Sequence, residues 1–385
     1  MKLIKFDLSI LPDMKTGFVL KTVFFILLIT ATLYIIHSCE MPSTGFDNVE
    51  DAILYTKDQN SDVFQPDSTI RVMTWNIRFG IGRGLWSIDA CGNRVIFSEG
   101  EIFEGLNNIV DIINLVQPDI LLLQEVHINS TCSAYIDELR WILDHTYFNY
   151  AAYGSSWKSQ VIPSDGLGRM DECNAILSRW PITEAKRIQL ELRMDEGRLV
   201  RYFDNRHCIV KAKIVIPDVE SFYAVNIHTS AFATDDTKYQ HLVKFKEVLD
   251  DITQSGNRFV AGGDLNTIPP GSDSTDFCFE DMCPGESFHN PGDKPQHKDG
   301  SNYTPESKWL MPLYTTYKCA VPLSVYQSDQ IAYFTHTTRP AHFWDRTLDY
   351  LFTNYRWRNG SVITHQEFLN DSDHAPVSAE FVIEK

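Results

Sequence analysis

The chain has 385 residues, of which 43% are hydrophobic and 22% are charged, so it has globular composition and enough length to bury one large core. Its formal net charge is −17. A surface with this excess of acidic groups repels polyanions, which excludes long-range attraction of nucleic acid, although a cationic groove or a bound divalent metal can invert the field locally.

The first 39 residues predict export from a bacterial cell. An apolar run over residues 22–36 follows Lys15 and Lys21, as in a signal peptide, and it is shorter than the ~18–20 apolar residues that a membrane span needs. Ser38 and Cys39 then resemble a lipobox, in which the cysteine is acylated and becomes the mature N-terminus. An uncleaved signal anchor is the alternative. In both cases we expect the body of the protein in the cell envelope, held at the membrane and outside the cytoplasm.

The rest of the chain is predicted to be a tether followed by one domain. Residues 40–68 are polar and acidic without sustained periodicity, which predicts a tether, and the domain is predicted over residues 69–385. Of the eight cysteines, those that follow Cys39 are odd in number, so at least one is unpaired. Cys278 and Cys283 are close in sequence, but spacing does not determine a disulfide pairing. We interpret these cysteines as structural, because no zinc-site spacing appears.

The first predicted elements are a strand, a helix and a second strand. Residues 69–76 alternate apolar and polar side chains, which predicts a strand that ends at Asn76. Apolar residues at helical spacing over 106–116 predict a helix closed by Pro118. The continuous apolar run 120–123 predicts a fully buried strand that delivers Glu125 at its C-terminal end.

Further elements follow along the chain. A helix is predicted over 135–143, and strands over 174–178, 208–216 and 222–227, the last of which ends at His228. A helix over 242–252 precedes a strand at 259–262 that runs into Asp264. After Thr347 the pattern predicts a strand, a turn at residues 359–360, another strand, and a final strand over 377–383.

Strands outnumber helices, and the helices do not alternate strictly with them. This favours an α/β fold of two packed mixed sheets with helices outside over a doubly wound parallel sheet. Residues 269–345 differ from the rest, since they are rich in Pro, Gly, Ser, His and aromatic residues and show little periodicity. Because this long irregular segment lies between Asp264 and Asp349, we expect it to border a functional site and to set its specificity.

Several predicted strands end in a residue suited to metal or phosphate chemistry. These residues are Asn76, Glu125, His228, Asp264, Asn266, Asp349, Asp373 and His374. Each alone has an ordinary structural explanation, because Asn and Asp form turns and a lone histidine is more often structural than catalytic. Their joint occurrence at successive strand ends is what indicates chemistry.

The segments that carry these residues resemble the endonuclease/exonuclease/phosphatase superfamily, in the order in which that superfamily has them. They are Thr74-Trp75-Asn76-Ile77-Arg78, Gln124-Glu125-Val126, Asn174-Ala175-Ile176-Leu177-Ser178, Val225-Asn226-Ile227-His228-Thr229, Gly262-Gly263-Asp264-Leu265-Asn266, Leu348-Asp349-Tyr350-Leu351-Phe352 and Ser372-Asp373-His374-Ala375-Pro376-Val377. The superfamily includes deoxyribonucleases, abasic-site endonucleases, inositol polyphosphate 5-phosphatases and neutral sphingomyelinases.

This resemblance implies a fold and a metal. The fold is a four-layer α/β sandwich, in which two packed, mostly antiparallel mixed sheets are flanked by helices. The activity is hydrolysis of a phosphoester with Mg²⁺, or with Mn²⁺ in its place. Glu125 is the metal ligand that the resemblance implies, assisted by Asn76 and Asp373, in keeping with the preference of Mg²⁺ for hard oxygen ligands.

The resemblance also implies catalytic roles. Asp264 and Asn266 would orient the attacking water and the phosphate. His374 would contact the phosphate, with its tautomer fixed by Asp349. His228 would touch the phosphate or the leaving group. Whether Asp264 or His374 removes the proton of the water, and whether one metal binds or two, both stay open at the level of sequence.

Alternatives remain for the charged residues and for the function. Arginines near the motifs could bind phosphate or form ordinary ion pairs, namely Arg78, Arg179, Arg339 and Arg346. An inactive surface-binding module on the same fold competes with an enzyme, but the complete set of site residues favours an enzyme. The net charge and the scarcity of Lys/Arg clusters in 269–345 favour a lipid-derived or small phosphoester, with DNA or RNA as the alternative substrate. We expect a monomer.

Overall fold

Two sheets of seven strands each pack face to face, and helices cover their outer faces. The computed structural model describes residues 22–27, 29–30, 43–57, 64–88, 91–163, 166–231, 233, 235–281, 283, 303 and 306–383. The four layers confirm the predicted fold class. Cys39 lies outside the described residues.

The elements are named in chain order. The strands are β1 (Val49–Asp51), β2 (Ile53–Thr56), β3 (Thr69–Asn76), β4 (Ile120–His127), β5 (Tyr150–Ile162), β6 (Gly168–Ser178), β7 (Ile182–Gln189), β8 (Cys208–Ile214), β9 (Phe222–His228), β10 (Arg258–Asp264), β11 (Lys318–Cys319), β12 (Asp349–Thr353), β13 (Ile363–Thr364) and β14 (Val377–Val382). The helices are α1 (Glu99–Val116), α2 (Glu138–His145), α3 (Arg198–Phe203), α4 (Thr237–Gln254), α5 (Cys278–Asp281), α6 (Met311–Thr316) and α7 (Leu323–Ser328).

Residues 22–27 and 29–30 are also helical. Across the part of the chain that the structure describes, no helix has both the length and the apolar character that crossing a membrane requires.

The order of strands brings particular strand ends together. The first sheet runs β13-β14-β3-β4-β6-β5-β2 and the second runs β1-β7-β8-β9-β10-β12-β11. β3 pairs with β4 and β9 pairs with β10 in parallel, whereas the other paired strands are antiparallel. Each parallel pair lies inside its sheet. Because its two strands run in the same direction, their carboxyl ends lie at the same edge of the sheet.

The central strands are apolar on both faces because each face is covered. Ile70 and Val72 of β3 point between the sheets and belong to one core cluster with Val260 of β10. Met73 and Trp75 alternate with them and pack in the cluster that contains α1. α4 covers the outer face of the second sheet in the same way. Burial of each such large apolar side chain contributes roughly 1.5–3 kcal/mol, so the three apolar layers hold the sandwich together.

Ordered structure begins before Thr69. β1 pairs with β7 and β2 pairs with β5, so one short segment adds an edge strand to each sheet. Between them Ala52 is buried and its N–H donates to the carbonyl of Ala185 at 3.0 Å, while the Tyr55 hydroxyl donates to Asp137 at 2.8 Å. The predicted tether over 40–68 therefore needs correction at 49–56. Strands of three and four residues are too short to show a periodicity.

One disulfide joins two distant loops. Cys91, between β3 and α1, is bonded to Cys283 in the segment 269–345. Cys278 and Cys283, although close in sequence, are therefore not paired with each other. The other described cysteines are buried, and they are Cys132, Cys173, Cys208, Cys278 and Cys319.

Candidate active site

The predicted site residues meet at one edge of the two sheets. Asn76 and His228 end β3 and β9, and Asp264 at the end of β10 is paired in register with Asp349 at the start of β12. His374 precedes β14 and reaches the same point. A cavity of about 300 Å³ opens beside this cluster, lined among others by Glu125, His228, Asp264, Asn266, Asp373 and His374.

Asp264 lies at the centre of the cluster and its side chain is only 1% exposed. Its Oδ2 is 3.4 Å from Nε2 of His228 and 3.5 Å from Nε2 of His374. The same oxygen accepts a hydrogen bond from Nδ2 of Asn76 at 3.2 Å. Its Oδ1 accepts the backbone N–H of Asn266 at 2.9 Å. One carboxylate is therefore held by groups from four different segments.

Two glycines explain how β10 brings Asp264 into this position. A Cβ at Gly262 would collide with the backbone oxygen of Tyr350 on β12, and a Cβ at Gly263 would collide with the backbone oxygen of Ile227 on β9. Gly263 also has a φ of 140°, which other residues rarely adopt. Glycines at both positions let β10 lie close to its two neighbours.

His374 and Asp349 form a buried pair. Nδ1 of His374 is 2.8 Å from Oδ2 of Asp349, so Nδ1 carries a proton and Nε2 points towards Asp264. Burial alone would lower the pKa of His374, but Asp349 and Asp264 outweigh it and raise that pKa to about 10. Burial also raises the pKa of Asp349. Because two carboxylates flank one imidazole, the shared proton resides on His374.

The loop before His374 is anchored to β3. The hydroxyl of Ser372 donates to the carbonyl of Asn76 at 2.7 Å and accepts the backbone N–H of His374 at 3.1 Å. The indole N–H of Trp75 donates to the carbonyl of His374 at 2.9 Å. The Ser-Asp-His motif thus places its histidine by hydrogen bonds to a strand about 300 residues earlier in the chain.

Glu125 sits on a β-bulge. The pairing of β4 with β6 shifts register between Leu123 and Val126, and Glu125 has a φ of 54°. A bulge re-aims the side chains that follow it. The Glu125 side chain faces the cavity with 20% of its surface exposed, and its Oε1 lies 3.9 Å from Nε2 of His228.

The donor set fits a hard divalent cation. Among the described residues that line the cavity, carboxylates outnumber Lys and Arg, and they are Glu125, Glu172, Asp204, Asp264, Asp281, Glu306 and Asp373. The crowding affects protonation, because burial and then the charge of Glu125 raise the pKa of Glu172 to about 7. A bound dication would offset this repulsion, and Mg²⁺ is typically held by one or two carboxylates together with water and phosphate.

Asn76 and Asp373, the assisting ligands expected from the sequence, each have other contacts. Nδ2 of Asn76 donates to Glu125 at 2.8 Å and to Asp264, while Oδ1 accepts the backbone N–H of Arg78 at 3.0 Å. The reversed amide would turn its oxygen towards two carboxylates, so the network determines the orientation. Asn76 thus holds Glu125 and Asp264 together. Asp373 lines the cavity, 3.4 Å from Nε of Arg78. Metal ligation by either residue stays a prediction.

The arginines near the motifs contact other side chains and do not themselves line the cavity. Ion pairs join Arg78 to Asp373, Arg179 to Asp119, and Arg346 to Asp281 and Asp345, while Arg339 lies over the ring of Phe279. None of these four arginines is among the lining residues that the structure describes, whereas Arg193 is. Ordinary ion pairing therefore accounts for three of them and a cation–π contact for the fourth.

Several polar side chains of the cavity lie outside the predicted motifs, among them Glu172, His207, Lys238, Glu306 and His336. Glu172 lies in β6, two residues before the strand predicted over 174–178, so a charge beside a predicted strand is the signal that could have identified it. His336 carries no motif, yet its ring centre lies 4.3 Å from that of His374, and burial lowers its pKa so that it is neutral. Glu306 and His336 confirm that the segment 269–345 borders the site.

Known proteins resemble the chain in sequence and in fold. Residues 73–374 match the sequence profile described as the endonuclease/exonuclease/phosphatase family. A comparison with curated protein sequences found no match. A solved endonuclease/exonuclease/phosphatase from Beutenbergia cavernae aligns over 82% of this chain and 72% of its own, with 18% identity and a TM-score of 0.53. A family protein from Bacteroides thetaiotaomicron aligns over 82% and 95%, with 13% identity and a TM-score of 0.50. At these identities the structural similarities show the fold alone.

We predict that Mg²⁺ raises the thermal unfolding midpoint of the protein and that Glu125→Gln reduces this shift. A ligand that binds only the folded state stabilises it according to its affinity, and loss of a ligating carboxylate should weaken that affinity at least ~10-fold, or about 1.4 kcal/mol at saturating Mg²⁺. Scanning calorimetry with and without Mg²⁺ measures the shift. Glu220→Gln, exposed beyond the opposite end of β9, is the control and should keep it. An unchanged shift in Glu125→Gln would contradict the assignment of the metal ligand.

Proposed function

The chain belongs to the endonuclease/exonuclease/phosphatase family, and from this premise we propose that it is a Mg²⁺-dependent phosphoesterase acting on a lipid-derived or small phosphoester. The family covers phosphoester hydrolysis, including nuclease activity. The observation that carries the proposal is the buried cluster around Asp264, in which two imidazoles and two amides converge on one carboxylate at the edge of a cavity.

The metal would be held by Glu125, with Asp373 and Asn76 as assisting groups. When bound, Mg²⁺, or Mn²⁺ in its place, supplies positive charge that stabilises the phosphate oxygens as the ester bond breaks. Asn76 keeps Glu125 and Asp264 side by side through one amide nitrogen. Glu125, the proposed metal ligand, and Asp264, which would lie next to the attacking water, are thereby held at a fixed separation.

We assign the proton-accepting role to Asp264. The Nδ1–H group of His374 donates a hydrogen bond to Asp349, and Nε2 of His374 lies 3.5 Å from Oδ2 of Asp264. An imidazole between two carboxylates is held as a cation, so His374 donates a hydrogen bond to a phosphate oxygen rather than accepting a proton. Asp264 then orients the attacking water and takes its proton, while the backbone N–H of Asn266 holds the other carboxylate oxygen.

His228 is placed to assist the phosphate or the leaving oxygen. Its Nε2 faces both Asp264 and Glu125, at 3.4 and 3.9 Å. Its Nδ1 is buried and has no hydrogen-bond partner in the described structure. A proton on Nε2 is favoured by the two carboxylates, and from there it can be donated to an oxygen in the cavity.

The lining of the cavity supports a small or lipid-derived substrate. Its volume of about 300 Å³ is at the lower end of small-molecule sites. Trp86, Trp157 and Tyr303 contribute aromatic walls, but Lys and Arg contribute only Lys238 and Arg193 among the described lining residues. A nucleic-acid groove would interleave basic with aromatic side chains. Endonuclease action on DNA or RNA is the second candidate, favoured by the family alone.

We also propose that the protein is held at the membrane of the bacterial envelope through a lipid on Cys39. The apolar run over 22–36 that precedes Ser38-Cys39 motivates this proposal. A lipid anchor outside the cytoplasm would keep the enzyme close to membrane-derived phosphoesters. It acts as a monomer in this proposal.

Substitution of the central residues should reduce turnover without unfolding the protein. We expect Asp264→Asn and His374→Ala each to lower kcat by ~10²-fold or more. The first removes the proposed proton acceptor, and the second removes the proposed hydrogen-bond donor to a phosphate oxygen. Hydrolysis of bis-p-nitrophenyl phosphate with Mg²⁺ measures kcat, and circular dichroism checks the fold. Asp144→Asn, exposed on α2, should be unaffected. Near-normal kcat in Asp264→Asn would refute its role, and full activity in excess EDTA would refute the need for a metal.

A substrate screen tests the substrate class. The purified protein should hydrolyse sphingomyelin, a phosphoinositide or a sugar phosphate when Mg²⁺ is present and not when EDTA is present. The reason is that its acidic surface and aromatic cavity suit small phosphoesters. Strong, salt-sensitive cleavage of plasmid DNA at nanomolar enzyme, without turnover of the other substrates, would establish the nuclease instead. A protein that binds some of these compounds but hydrolyses none would be an inactive binding module.

Lipidation is tested by mass spectrometry of the protein extracted from membranes. We expect the mature N-terminus to be Cys39 carrying a diacylglyceryl group. A membrane-bound chain that still begins at Met1 or Met14 would show a signal anchor.

A further inference from the structure

Lys238 places a buried ammonium group directly beneath the site. Its Nζ donates to both carboxylate oxygens of Glu306, at 2.8 and 2.9 Å, and to the carbonyl oxygen of Asn266 at 2.7 Å. The side chains of Lys238 and Glu306 are each 3% exposed. All three protons of the ammonium group therefore have acceptors inside the protein.

The carbonyl that Lys238 holds belongs to a constrained residue. Asn266 has a φ of 45°, a left-handed conformation that is uncommon for any residue other than glycine. Its backbone N–H and its Nδ2 donate to the two oxygens of Asp264, at 2.9 and 3.3 Å, and Nδ2 also donates to the carbonyl of Thr229 at 3.0 Å. Any turn of the Asn266 backbone would therefore move the donors that orient the Asp264 carboxylate.

The presence of this buried ion pair is poorly explained by a gain in the folding stability of the protein. Transferring an ammonium and a carboxylate from water to the interior is costly, and an apolar pair of similar volume is often as stable or more so. The cost is evident at Glu306, where burial raises the pKa to about 7 in spite of the neighbouring Lys238. An arrangement this costly is explained by what it holds in place, which is the loop that carries Asp264 and Asn266.

We propose that Lys238 is a positioning residue, which fixes the backbone of Asn266 and through it the orientation of Asp264. The proposal rests on the proposed phosphoesterase function for its kinetic consequence. Lys238 itself comes from α4, and Glu306 comes from the segment 269–345, whose residues line the cavity. The ion pair thus also ties this segment to the loop that holds the base.

The test separates positioning from stability. Lys238→Met removes the ammonium and leaves the Glu306 carboxylate buried without its cation, so it should lower both the unfolding midpoint and kcat. The double variant Lys238→Met/Glu306→Leu replaces the pair with apolar groups and should regain most of the midpoint. Its kcat should remain about 10- to 100-fold below that of the wild type, the usual loss when a supporting group of a site is removed.

A matched control is available on the same helix. Lys246 pairs with Asp250 at 2.8 Å at the surface of α4, and Lys246→Met should leave kcat unchanged. A crystal structure of the double variant gives a readout that does not depend on activity, and in it the Asn266 N–H to Asp264 hydrogen bond should be broken. Retention of that bond, or of wild-type kcat in the double variant, overturns the proposal. If the wild type hydrolyses no phosphoester, the proposed function fails and the crystal structure alone decides the positioning.

Discussion

Buried amide hydrogen bonds between the two sheets determine where the site forms. Gln124 of the first sheet donates to Oδ1 of Asn226 at 2.7 Å, and Nδ2 of Asn226 donates back to the carbonyls of Leu123 and Ala175 at 2.7 and 2.8 Å. Apolar packing is non-directional and would let the sheets slide. A slide would leave these amides unsatisfied, at about 1–3 kcal/mol for each group. The ends of β3 and β4 therefore stay opposite those of β9 and β10.

The bulge in β4 gives two adjacent residues their different roles. In a regular strand Gln124 would follow Leu122 into the space between the sheets, and Glu125 would follow Leu123 towards α1. The register shift before Val126 keeps Gln124 in the interface and turns Glu125 to the cavity. The bulge thus supplies the expected metal ligand without displacing the residue that aligns the sheets.

The sequence predicts the elements whose signal is local. β3 alternates apolar and polar residues and ends in Asn76, whereas β9 and β10 are mainly apolar and end in His228 and Asp264. The strands follow from these patterns, and their meeting point follows from the motif order. The sequence does not predict β5, because this strand buries small polar residues. One of them is Ser155, whose hydroxyl donates a hydrogen bond to Asp171 of β6. Long-range contacts leave no local trace either. Lys238 and Glu306 are 68 residues apart, and the two disulfide cysteines are 192 apart.

The site concentrates like charge in a place where a stable fold would avoid it. Asp264 and Asp349 both lie next to the imidazole of His374. Burial and the charge of Glu125 raise the pKa of Glu172. Such an arrangement destabilises the protein without a cation, and three apolar core layers must offset that cost. The same repulsion makes cation binding favourable and disfavours a phosphate anion until positive charge is present. The proposed metal binding and the expected lower stability of the metal-free protein would therefore both be consequences of one arrangement of carboxylates.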